Sequence, residues 1–411
     1  MKSAGSEAIE TALAVLGDAA LDEARVAEHV TPLFSRVLAR RASTIDLANH
    51  SLGRPLDATA ADVAEALSLW ETRMGDAWDA WLAEREAYRA RLARLAGAPR
   101  ADCIVPKTSA GQGLRAILNS YTQSVPRVVA TRGEFDSVDI ILRQYAKLGR
   151  IALRFIEPRD GGLFAAEDLV AAVRAGCDLL VVSHVLFNSG QLLPQLPELV
   201  SVAHAQGARV LLDVYHSLGV LPVDLAKLDV DFAIGGSYKY LRGGPGACYL
   251  YLHPRHLDGS LSTLDVGWFA KEDPFAYERP DPPRLADGGD AFLESTPPIL
   301  PLYQARAGQI FTLAIGVDRL RAYSLGQQRR LVELLGERGV TAMGGRRDRG
   351  AFTVVELPDG EATRCADALA ERGVKTDARG PWLRLCPDVL TTEAELVEAS
   401  EQVARVLRHT P

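Results

Sequence analysis

Short apolar segments recur between residues 103 and 252 at the roughly 30-residue spacing of a strand followed by a helix, and this alternation constrains the fold most. Cys103-Ile-Val, Arg127–Ala130, Arg150–Ile156, Asp178–His184, Arg209–Asp213 and Phe232–Lys239 are aliphatic runs with polar borders. That is the pattern of strands covered on both faces. Stretches of helical periodicity lie between them, at Leu114–Leu118, through Tyr145, at Leu163–Ala175 and at Leu196–Gln206. The succession implies a mainly parallel sheet with helices on both faces, closed by a further strand at Cys248–Leu252. In such open sheets ligands gather at the carboxyl ends of the strands.

A chain of 411 residues has room for one large α/β domain and a smaller one. The composition shifts in the proline-rich crossing Pro274–Pro301, which marks a boundary. Beyond it, helices at Leu302–Asp318, Leu320–Gly336, Ala362–Arg372 and Glu393–Leu407, with strands at Phe352–Glu356 and Trp382–Leu385, suggest a small α+β domain. Residues 1–48 are expected to be an N-terminal helical segment, 49–300 the large α/β domain and 301–411 the small one. Ala8–Leu16 and Asp22–Leu38 read as two amphipathic helices, serving as structural packing or as a lid or dimer contact. Ile45–Pro55 is a turn cluster with more polar side chains than a linker needs. Ala60–Leu95 forms one or two helices whose Trp70, Trp78 and Trp81 suit core or dimer packing, or stacking on a substrate.

The net charge of −7 is spread without long like-charge runs, which argues against an extended nucleic-acid or anionic-membrane surface. Five widely spaced cysteines with no CxxC pair suit reduced thiols rather than a disulfide framework or a zinc site, and no metal is expected. No segment is apolar for the roughly 18 residues a membrane span needs. The acidic N-terminus is unlike a secretory signal, so the expected location is the cytoplasm.

Asp213 and Lys239 fall at the ends of successive strands, so both can reach one ligand, and His216 stands three residues after Asp213. Upstream, the strand at Cys103 runs through Pro106-Lys-Thr-Ser-Ala-Gly-Gln-Gly113 into a helix. Free backbone N–H groups and the helix dipole make such a turn a cup for an anion. Taken singly, the cup is an ordinary capped helix, Asp213 a loop cap, His216 a satisfied core histidine and Lys239 a surface charge. Together with Ser237, Tyr238 and Gly243-Gly-Pro-Gly246 they supply what pyridoxal phosphate requires. A lysine binds its aldehyde, a carboxylate keeps its ring nitrogen protonated and a cup takes its phosphate.

Asp213-Val-Tyr-His216 and Ser237-Tyr-Lys-Tyr-Leu-Arg-Gly-Gly-Pro-Gly-Ala247 resemble the cofactor region of kynureninases, within the class V aminotransferase family. Asn49-His-Ser-Leu-Gly53, Gly267-Trp-Phe269, Ser295-Thr-Pro-Pro-Ile299 and Leu383-Arg-Leu-Cys-Pro387 resemble further kynureninase motifs in the same order. The resemblance implies an aspartate-aminotransferase-like (fold type I) large domain with a seven-stranded sheet. It also implies a cytoplasmic homodimer in tryptophan catabolism and NAD biosynthesis that hydrolyses L-kynurenine or 3-hydroxykynurenine to an anthranilate and L-alanine. By the same resemblance Lys239, Asp213 and Tyr238 are catalytic, and Thr108, Ser109 and Tyr238 bind the phosphate. Phe135 stacks on the ring, with Ser183 and His216 beside it. Trp268 and Thr296 arrive from the second subunit. Arg384 pairs with the substrate α-carboxylate, a task that suits a bidentate guanidinium, although a surface ion pair is the plainer reading. Asn49 and Ser51 are further substrate contacts.

Three positions depart from the family pattern. Phe135-Asp-Ser-Val138 stands for Phe-Pro-x-Asp, Arg242 for an asparagine, and Asn188 for an aromatic residue. They leave room for a β-lyase or aminotransferase acting on another amino acid in secondary metabolism. A non-catalytic regulator is a third reading, against which the lysine and aspartate argue.

Overall fold

The computed structural model describes residues 4–409. Along the chain, β1 is Ile45–Asp46, followed by β2 (Ile104–Lys107), β3 (Arg127–Thr131), β4 (Ala152–Ile156), β5 (Leu179–Ser183), β6 (Arg209–Asp213), β7 (Phe232–Gly236) and β8 (Cys248–Leu252). Strands β2 to β8 form one seven-stranded sheet in the order β2-β8-β7-β6-β5-β3-β4. From β7 across to β4 neighbouring strands are parallel, whereas β8 runs antiparallel to both its neighbours. The mainly parallel seven-stranded α/β sheet expected from the sequence is therefore present.

Alternation along each strand divides the core between the faces of the sheet. Leu180, Val182, Val210 and Leu212 pack on one side with helices Ala166–Arg174 and Leu196–Ala205. Leu179, Val181 and Leu211 pack on the other with helices Ala110–Leu118 and Asp136–Lys147. Strands buried on both faces account for the continuous apolar runs.

The C-terminal part adds β9 (Thr353–Glu356), β10 (Val374–Lys375), β11 (Asp377–Arg379) and β12 (Trp382–Leu385). β11, β12 and β9 form an antiparallel sheet, and β10 pairs in parallel with β1. Ile45, expected in a turn cluster, is thus the start of a strand. Two-residue strands carry no periodicity that a sequence pattern can reveal. Ile45 and Leu47 complete an apolar cluster with Val374, Leu383 and Leu385.

The expected helix over Asp22–Leu38 is broken into α, π and 3-10 turns between Glu23 and Arg40. Pro32 lacks the N–H that a regular helix would use there. These turns and helix Ala4–Ala14 cover helix Ile299–Ile315 through Ile9, Leu13, Phe34, Phe311 and Ile315. Trp78 and Trp81 meet edge to face, and Trp78 also packs against Phe269 and Phe275, which favours packing over substrate stacking. No helix among the described residues is long and apolar enough to cross a membrane.

Candidate active site

A cavity of about 320 Å³ opens where β3, β5, β6 and β7 end, and Asp213, His216, Lys239, Ser183 and Phe135 lie in its wall. Asp213 is the last residue of β6, and its carboxylate accepts a hydrogen bond from the Tyr215 N–H at 2.8 Å, which holds it at the mouth of the sheet. Lys239 follows β7 by three residues and is only 6% exposed. Its Nζ lies 2.6 Å from His216 Nε2 and 5.2 to 5.7 Å from the ring centres of Tyr215, Phe135 and Tyr238.

Burial governs the electrostatics. It pushes the Lys239 amine down and the Asp213 carboxyl up, each partly offset by the field of the other. His216 is driven well below its usual range by burial and by the nearby Lys239, Arg384 and His50 cations or imidazole, so it is neutral. With Nε2 taken by Lys239, its buried Nδ1 has no hydrogen-bond partner among the described residues. An unsatisfied buried polar atom of this kind calls for a ligand. Tyr238 is pushed up to about 12 by burial, which keeps its phenol protonated.

The anion cup also forms. Ser109 caps helix Ala110–Leu118, accepting from the Gln112 N–H at 3.2 Å, while Gln112 Oε1 accepts from the N–H and hydroxyl of Thr108, both at 2.7 Å. Helix and sheet touch so closely that a Cβ on Gly113 would sit 2.8 Å from Ile234 Cγ2, which brings the helix N-terminus to the cavity. Thr108, Ser109 and Tyr238 share the cavity wall with Lys239. A lysine, a carboxylate, hydroxyls at a helix N-terminus and an aromatic face fit pyridoxal phosphate.

Other expected residues lie elsewhere. Trp268 and Thr296 are 3.3 Å apart through Nε1 and Oγ1 but line no part of the cofactor cavity within one chain. Thr296 instead shares a neighbouring cavity of about 210 Å³ with Thr108. Ser51 donates to Asp377 Oδ2 at 2.7 Å, and Asn49 lines a small cavity beside Arg242. Neither faces the cofactor cavity. The motif Asn49–Gly53 acts on the lysine loop through its backbone, because the Gly53 N–H donates to the Tyr238 carbonyl at 2.8 Å. A Cβ on Gly53 would lie 2.1 Å from the Lys239 carbonyl oxygen.

Arg384 is 2% exposed, not a surface ion pair. Both its Nε and Nη2 engage the Asp377 carboxylate, directly across from it in the β11–β12 pair, and its Nη1 donates to the Phe187 carbonyl. Asp377 also bonds to His50 at 3.0 Å. Burial alone would raise the Asp377 carboxyl, yet His50 and Arg384 hold it far below the usual range.

The three departures have local explanations. Val138 belongs to helix Asp136–Lys147, where it is buried in the core and lines the cofactor cavity. Asn188 turns the chain by accepting from the Ser189 N–H at 2.8 Å. Arg242 adopts a left-handed conformation (φ 56°) and forms a buried, bidentate pair with Asp388, which also accepts from Arg54 Nε at 2.9 Å. Sequence reasoning did not single out Asp377, Asp388 or Glu134. Glu134 stands directly before Phe135, just past the apolar run Arg127–Ala130, and that position at a strand end was the available signal.

This fold and this site define a class. The class V aminotransferase family matches residues 74–384, and the chain belongs to it: it is a pyridoxal-phosphate-dependent enzyme. Among its curated relatives are the kynureninases of Bacillus cereus, 28% identical over 89% of both chains, and of Geobacillus thermodenitrificans, 29% identical over 86% of both. In structure it is similar to a cystine C–S lyase, C-DES, solved with its product cysteine persulfide (TM-score 0.78, 19% identity, 89% of this chain and 99% of that one). It is also similar to the cysteine desulfurase CsdA of Escherichia coli (TM-score 0.76, 16% identity, 91% and 98%).

Proposed function

We propose that the chain is a kynureninase-like hydrolase that cleaves the Cβ–Cγ bond of L-kynurenine, 3-hydroxykynurenine or a related γ-oxo amino acid to give an anthranilate and L-alanine. The observation that carries this reading is the likeness to kynureninases along almost the whole chain, joined to the buried Lys239–His216–Asp213 centre. The cofactor supplies an electron sink for negative charge at the substrate Cα. Lys239, its amine made less basic by burial, is suited to take the Cα proton near neutral pH. Asp213 holds a proton on the ring nitrogen, and neutral His216 fixes the lysine amine without competing for its charge. Tyr238 keeps its phenolic proton and is placed to donate it beside the phosphate cup. Arg384 lies outside the cavity wall, its Nε and Nη2 held by Asp377 and its Nη1 by the carbonyl of Phe187, which does line the cavity, so it takes the substrate α-carboxylate only by exchanging one of these bonds for it.

As part of the same reading, the enzyme is a homodimer in which Trp268 and Thr296 reach the partner's cofactor. The test is incubation of the holoenzyme with L-kynurenine and 3-hydroxykynurenine, following anthranilate-type fluorescence and alanine. Silence on both substrates, with cofactor seen by its visible absorbance, would reject it. One observation favours a second reading, a β-lyase or aminotransferase on another amino acid. Val138 leaves apolar core where the kynureninase pattern carries an acid. Release of pyruvate or transfer of the amino group from other amino acids would support it.

A further inference from the structure

Behind the ring-facing residues lies a second buried carboxyl that the chemistry above does not use. Glu134, 3% exposed, sits just beyond the end of β3. Its Oε1 accepts from Thr131 Oγ1 at 2.5 Å and its Oε2 from Ser183 Oγ at 2.6 Å. Ser183 ends β5 in register with Asp213 on β6, so both project from adjacent strand ends into the same cavity.

The charged groups around Glu134 leave it without a counter-ion. Among the described residues no cation pairs with it. Arg132, two residues earlier, turns outward to Glu157 and Asp139, and Asp139 is also held by Arg143. From β6 it meets the field of Asp213, which is of the same sign, and Lys239 is engaged with His216. Burial, opposed by the two hydroxyls and reinforced by Asp213, pushes the Glu134 carboxyl up to about 7.

The hydrogen bonds show what a proton on this carboxyl changes. Thr131 Oγ1 accepts from the Gly133 N–H at 3.2 Å and donates its own O–H to Oε1. With Glu134 ionised, Ser183 donates to Oε2 and shows only lone pairs to the cavity. A proton on Oε2 donates to Ser183 Oγ instead, and the Ser183 O–H is released to donate inward.

We propose that Glu134 is a positioning residue of the cofactor site, which through Ser183 determines whether that hydroxyl offers the cofactor ring a hydrogen-bond donor or an acceptor. This rests on the cavity holding pyridoxal phosphate and is independent of which amino acid is the substrate.

The test follows the visible absorbance of the Lys239-bound cofactor between pH 5.5 and 9 in wild-type, Glu134→Gln and Ser183→Ala holoenzymes. Cofactor retention on ultrafiltration at pH 6 and pH 8 is measured alongside. The wild type should show a transition near neutrality that moves by about one pH unit or disappears in both variants. Its pH-dependent retention should flatten in both. Ser183→Ala keeps the carboxyl and removes the hydroxyl between it and the cavity, and Ser183→Thr, which restores a hydroxyl there, should recover the wild-type transition, so the serine variants decide the matter even if Glu134→Gln folds poorly. Titrations that coincide in all three proteins would overturn the proposal. A shift in Glu134→Gln alone would overturn it too, since that result assigns the effect to the direct field of Glu134. Neither readout requires turnover, so a failure on kynurenine leaves this test intact.

Discussion

Two buried charged regions lie within a few residues of Lys239, and they are built on opposite principles. Around Asp388, charge is matched: Arg54 and Arg242 both bond its carboxylate, and Gln327 binds its backbone carbonyl at 2.8 Å. Around Lys239, charge is left under-matched. Asp213 accepts one backbone hydrogen bond, and among the described residues His216 Nδ1 has no partner and Glu134 has no cation. The matched region fixes geometry, clamping the loop after Lys239 to the C-terminal part of the chain. The under-matched region stores the displaced protonation equilibria that proton-transfer chemistry needs.

The sharpest way to break this contrast is Lys239→Ala. It should lower turnover by about 10³-fold or more, since in the proposed reading one group serves as both covalent anchor and proton acceptor. Borohydride reduction should then fail to fix the cofactor to the chain, while the melting temperature changes little. In the matched region the opposite is expected. Asp388→Ala strands two buried guanidinium groups and should cost about 3–5 kcal/mol of stability in denaturant titrations. Its effect on chemistry should follow only from the loosened loop.

Arg384→Lys probes the border between the two regions, because it keeps the charge and loses the bidentate grip on Asp377. The KM for the amino-acid substrate should rise about 10-fold or more, with kcat less affected, as measured by initial rates. The smallest effect concerns stability. Glu134 has a folded-state pKa raised from 4.5 to about 7, so the native state binds the extra proton between those values. Wild-type stability should therefore fall as pH rises through that window, by about 1 kcal/mol or more relative to Glu134→Gln. Parallel stability-against-pH curves for the two proteins would erase the contrast.

The architecture was legible where burial imposes a pattern. β3 and β5 to β8 are buried on both faces, so each announces itself, whereas the edge strand β4 is largely open to solvent, and Asp213 and Lys239 follow from standing at strand ends. Thr108 and Ser109 were readable because a capped helix start is a local signal. The rest required tertiary partners. β1, β10 and β11 are two or three residues long and exist only through pairing. Arg384 carries no local sign that Asp377 would hold it, and Arg242 looked like an anomaly until Asp388 accounted for it. Glu134 resembles any surface acid in a turn until its hydroxyl partners on β3 and β5 come into view.

The pairing of β1 with β10 has a consequence for how the protein is made. β1 leaves the ribosome more than 300 residues before its partner. The central sheet can assemble in that interval, whereas the module carrying Arg384 must wait for β10 to pair with β1. A nascent chain stalled before residue 374 should thus hold a folded central sheet without the strand pair that carries Arg384. If Arg384 has the role proposed above, such a chain would be able to bind its cofactor and unable to select its substrate.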